Sequence, residues 1–281
     1  MDIRQLIKNR LTLRMKRIKR RITISKRQQF VITTLLCTLG LLLTQIVSSE
    51  FRFVTVAGLS VATYILCAFV LREDLAGIEW FTLLSLPTLF TAAIAVFYFL
   101  LPVRWLTRIP VVLVYAVCMY ALLLTENIYN VAANRTIALL RAAHTVGFLL
   151  TLVAFFLLSQ TILSIRSNSF MNALGAGIVT FIFSYQILWS VVLEARFDKR
   201  ILSISIAIAC VIAQFAWILS FWPILITIEA LFLTTCLYAM VGMGQQYLQE
   251  KLYKKTVTEF LIVTGIIFAI VIISTNWRGT F

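Results

Sequence analysis

The sequence predicts an all-α bundle of about nine transmembrane spans with its amino terminus in the cytoplasm. Three observations predict it. Of 281 residues, 61% are hydrophobic and only 13% are charged, whereas a soluble domain needs about a quarter charged to cover its surface. Apolar runs near the span length of about 20 residues follow one another nine times, joined by short connections. The basic residues also gather on alternate connections, which is how membrane proteins fix their orientation. The chain is therefore read as a multi-pass protein of the cell (inner, cytoplasmic) membrane, bacterial in cadence.

Two regions are expected: a basic arm over 1–27 and a single transmembrane domain over 28–281. The arm holds eleven Lys and Arg with Asp2 as its one acid. Ile3, Ile7, Leu11, Met15, Ile18 and Ile22 recur every three or four residues between them. That spacing suits an amphipathic helix lying on anionic phospholipid headgroups. The plainer reading is a frayed basic tail that only sets orientation. Nucleic acid is not expected as a partner, since aromatic residues do not interleave with the cations. Val47-Ser48-Ser49 resembles a signal-cleavage site, but the preceding charged region is too long and the apolar run is of full span length. It reads as a retained anchor.

The spans fall at approximately 30–48, 53–71, 80–101, 109–125, 138–163, 170–193, 201–221, 223–243 and 258–276. Nineteen basic residues then lie inside: the eleven of the arm, Arg72, Arg135, the trio Arg196, Lys199 and Arg200, and the trio Lys251, Lys254 and Lys255. Five lie outside, namely Arg52, Arg104, Arg108, Arg166 and Arg278, and Arg141 sits within a span. Without the arm the inside still leads. The sixth span carries Ala173, Ala176, Gly177, Thr180 and Ser184. The seventh carries Ser205, Ala209, Ala213 and Ala216. Small residues let helices approach closely in a bilayer, so both spans should pack tightly, on each other or on the bundle centre. Pro87 and Pro223 are expected to kink or start spans.

Polar chemistry concentrates between Glu126 and His144. At about 100° per residue, Glu126, Asn127, Asn130, Asn134, Arg141 and His144 share one arc of a helix, with Arg135 opposite. Two readings stand. In one, a border helix turns its polar side to water and Arg141 pairs with Glu126 or a lipid phosphate. In the other, Arg141, His144, Asn130 and Asn134 receive an anionic headgroup or solute in an inner-leaflet cleft, because guanidinium and amide donors suit phosphate and carboxylate. His144 is the chain's one histidine, which excludes paired-His metal motifs. Glu229, about two turns into the eighth span, is a candidate for proton coupling, or for pairing with Arg104 or Arg108. Gln160, Gln186 and Gln214 read as interhelical hydrogen bonds.

The five cysteines, Cys37, Cys67, Cys118, Cys210 and Cys236, sit singly in apolar runs and imply packing. No metal or other cofactor is expected. Neither a P-loop, a Gly-x-Ser-x-Gly elbow nor a His cluster is present. Three functions are carried forward. The first is a non-enzymatic membrane component that binds lipid or a membrane-protein partner. The second is a small transporter with an anion site at the inner leaflet and a carboxylate at Glu229. The third is an intramembrane enzyme acting on a lipid headgroup, with Glu126 and His144 as acid and base.

Overall fold

The structure, a computed structural model, describes residues 25–44, 51–72, 77–100, 105–132, 139–165, 168–193 and 197–275. Residues 1–24 of the basic arm and Asn134 lie outside the described residues. Among the described residues the secondary structure is helical. The elements are α1 (Lys26–Thr44), α2 (Arg52–Leu71), α3 (Glu79–Leu100), α4 (Trp105–Ala132), α5 (Leu140–Ser164), α6 (Ser169–Val192), α7 (Lys199–Leu219), α8 (Ile226–Leu248) and α9 (Lys254–Ser274). Each is long and apolar enough to cross a membrane. The chain is a multi-pass membrane protein built as an all-α bundle.

Helical structure is forced on such runs, since a lipid-exposed backbone must satisfy its own N–H and C=O groups. Five buried threonines follow the same rule. Thr38, Thr63, Thr91, Thr151 and Thr180 each donate their hydroxyl to the carbonyl four residues earlier. They hide their polarity within their own helix. Thr91 does so onto Pro87, the proline inside α3, and also meets the Tyr115 hydroxyl at 2.9 Å.

Neighbouring helices alternate in direction, as cross-helix contacts at their ends show. Asn130 near the end of α4 bonds Leu71 at the end of α2, and His144 near the start of α5 meets Ser190 near the end of α6. We call this the near end; α3, α5, α7 and α9 begin there. At the far end, Asn172 near the start of α6 bonds Ser220 just past α7, and Gln160 near the end of α5 bonds Thr227 in α8. α5 is central, with α3, α4, α6 and α8 around it. α1 to α4 pack on one side of it and α6 to α8 on the other.

α6 and α7 make the most extensive helix contact of the bundle, so the two small-residue stripes meet each other. A Cβ added at Gly177 would lie 3.2 Å from Ala213 Cβ. α9 is the opposite case: it leans chiefly on α8, and Val271 is its one buried residue.

Two boundaries that depart from the sequence reading bear on the site. α4 runs on to Ala132, seven residues past the expected 125. The helix continues because Glu126, Tyr129 and Asn130 find partners inside the bundle. The eighth span begins at Ile226 and not at 223, because the chain from Pro223 to Leu225 stays outside the helix. Glu229 is therefore in the first turn of α8, where an acid suits the positive end of the helix dipole, and not two turns deep.

Candidate functional site

The expected single polar arc from Glu126 to His144 is divided between two helices. α4 ends at Ala132 and α5 starts at Leu140, so Glu126 and Asn130 belong to one helix and Arg141 and His144 to its antiparallel neighbour. A helical wheel drawn through all of them does not describe their directions.

Glu126 is 0% exposed. It sits six residues before the end of α4, about 9 Å in at 1.5 Å per residue, and so lies inside the span. Its Oε1 accepts a hydrogen bond from Gln186 Nε2 of α6 at 3.0 Å. Asn130, one turn on, donates from Nδ2 to the Leu71 carbonyl at 3.1 Å. Tyr129 donates its hydroxyl to the Ala143 carbonyl at 2.9 Å and tilts its ring over His144, with centroids 5.5 Å apart. His144 Nε2 lies 2.8 Å from the Ser190 carbonyl. Glu126, Asn130, Tyr129 and His144 thus belong to one near-end seam where α2, α4, α5 and α6 meet.

A glycine makes that seam possible. A Cβ at Gly147 of α5 would stand 2.7 Å from the Tyr129 hydroxyl and 3.2 Å from Thr125 Cγ2. Any larger residue would push α5 off α4.

Arg141 does not join this interior. It is exposed, in the first turn of α5. The structure therefore brings Glu126 together with Gln186 and not with Arg141. Arg141 stands instead in a collar of basic residues around the near end, with Arg27, Arg72, Lys199, Arg200, Lys251, Lys254 and Lys255 also exposed and Lys26 half-buried. That makes nine among the described residues, against Arg52 and Arg108 at the far end.

Glu229 is buried at the far end, and its Oε1 has no hydrogen-bond partner. Arg104, one of its expected partners, lies outside the described residues. Gln160 bonds across helices as expected, whereas Gln214 is exposed on α7. No group of three or more His, Cys, Asp or Glu side chains among the described residues is placed to hold a metal ion.

The family model described as protein of unknown function (DUF5656) matches residues 39–274. The chain belongs to the DUF5656 family. The match takes in the end of α1 and all of α2 to α9, so the near-end seam and Glu229 lie in the region DUF5656 describes, and the basic arm lies before it. No curated protein and no solved structure gives a match.

Sequence reasoning missed Tyr129, Ser190 and the Leu71 carbonyl, and it saw Gln186 only as a generic hydrogen-bonding residue. One signal was available. Gln186 stands six residues before the end of α6, the same depth as Glu126 in α4.

Proposed function

We propose that this DUF5656 protein is a non-enzymatic component of a bacterial cytoplasmic membrane that binds anionic phospholipid at its near end, with that end and the amino terminus facing the cytoplasm. The observation that carries this reading is the exposed basic collar, Arg141 included. Guanidinium and ammonium groups at helix ends reach headgroup phosphates, each contributing about 1 kcal/mol near an anionic surface. The arm over 1–27 extends the same chemistry. Orientation follows from the same charges.

Two features favour binding over catalysis. Glu126 is sealed and held by Gln186, and His144 is engaged with the Ser190 carbonyl. An acid–base pair must instead reach one substrate position.

Native mass spectrometry of the purified protein tests this. After exchange into mixed micelles, phosphatidylglycerol or cardiolipin should be retained in preference to phosphatidylcholine. Arg141→Leu, combined with Lys254→Ala and Lys255→Ala, should reduce that preference while leaving the melting temperature in place. Equal retention of charged and neutral lipids would remove the proposal.

A further inference from the structure

Unpartnered acceptor oxygens gather around Glu126. Glu126 Oε2, Asn130 Oδ1 and Gln186 Oε1 all lack a hydrogen-bond partner. Their residues are 0%, 2% and 3% exposed. The amide orientations are dictated by chemistry. With Glu126 ionised, Gln186 must offer its NH2 to the carboxylate, and Asn130 must offer its NH2 to the Leu71 carbonyl, because the reverse would set acceptor against acceptor. Both amide oxygens are thereby left over. Glu126 and Asn130 are four residues apart on one face of α4, and Gln186 is tied to Glu126 at 3.0 Å.

An unsatisfied buried oxygen is costly, and here neighbouring side chains carry three of them. A proton on Glu126 Oε2, donated to one amide oxygen, serves two of the three and leaves the other amide oxygen unserved. The nearby cations do not fill the place, since Arg141 is exposed. The backbone has the same sign as the side chains. Leu71 closes α2, and Asn130 and Gln186 lie in the last two turns of α4 and α6. Asn130, in the last turn of α4, bonds the Leu71 carbonyl that closes α2, so the negative poles of two helix dipoles lie beside Asn130. Helix carboxyl ends and carbonyl oxygens are a common surrounding for sodium in membrane proteins.

We propose that Glu126, Asn130 and Gln186 form an intramembrane site for a monovalent alkali cation. All-oxygen ligation selects a hard ion, and a single carboxylate balances a single positive charge. The Leu71 carbonyl, already facing this region, adds to its negative field. This site is independent of the lipid-binding collar and stands or falls without it.

The test uses the full chain in detergent at fixed ionic strength, with choline chloride replaced stepwise by NaCl or KCl. Unfolding is read with a thiol-reactive fluorophore, since Cys37, Cys67 and Cys236 are buried in the folded protein. One alkali cation should raise the melting temperature in a saturable way, by on the order of 5 °C at a concentration about a hundredfold above its dissociation constant. Glu126→Gln and, separately, Asn130→Ala should abolish the rise, whereas Arg141→Leu should keep it. Should both site variants fail to fold, direct binding of radioactive sodium or rubidium to the wild type, with one ion per chain, decides the matter. Identical curves in choline, sodium and potassium would overturn the proposal. So would a melting temperature that moves with pH alone, which would mean a proton satisfies Glu126.

Discussion

Gln186 and Glu126 are sixty residues apart in the chain, yet the amide of one donates to the carboxylate of the other at 3.0 Å within the span region. This bond joins α6 to α4 across the two sides of the bundle, which also meet where α3 packs on α6. Removing the donor alone leaves a second buried oxygen unserved. Gln186→Leu is expected to destabilise the protein by about 1–2 kcal/mol, toward the upper end of polar contacts measured in bilayers. Glu126→Leu/Gln186→Leu should cost less than the two single changes together. Thermal melts of the cycle in choline buffer read this, and strict additivity would mean the bond contributes nothing.

The approach of α5 to α4 rests on Gly147. Gly147→Ala gains up to about 1 kcal/mol of helix propensity. It also drives a methyl to 2.7 Å from the Tyr129 hydroxyl, and overpacking of this kind costs about 1–3 kcal/mol. The clash should win, lowering the melting temperature. Tyr129→Phe in the same chain should recover part of the loss, although it gives up the bond to Ala143. A Gly147→Ala protein as stable as wild type would contradict the packing described.

Topology has a direct readout. Reporter fusions in the 249–253 connection and after Phe281 should give opposite signals, cytoplasmic for the first and external for the second. The same compartment at both would mean that α9 does not cross the membrane.

The basic arm can be taken alone. A synthetic peptide of residues 1–27 should gain helicity on anionic vesicles and lose binding as salt is raised, since charge screening removes the attraction. Binding that ignores salt would leave the arm only an orienting role.

The spans were legible because nothing except a helix can carry such apolar runs through lipid, and Gly177 and its small neighbours marked α6 and α7 for close packing while leaving open whether on each other or on the bundle centre. The end of α4 was not legible. Glu126-Asn-Ile-Tyr-Asn reads locally as the start of a polar border helix beyond the span, since asparagine is a poor former of buried helix and a carboxylate marks a border. What keeps it helical are the Gln186 amide, the Leu71 carbonyl and the Ala143 carbonyl, all distant in sequence. Placing Glu126 outside the span also hid its match in depth to Gln186. Arg141 was joined to Glu126 by a helical wheel, and the break after Ala132 undid that geometry.

α9 touches the rest of the molecule through a narrow face that includes the buried Val271 and two phenylalanines. Phe260 sits against Gly242 and the Tyr238 ring, and Phe268 against Trp222 and Phe232. The Glu126 seam and the α6–α7 contact are complete without it. During synthesis, the first eight helices can therefore close on one another before α9 has left the ribosome. It arrives as a late addition to the first eight helices, and a proteolytic cut between Gln249 and Tyr253 would sever its covalent link without opening the interior.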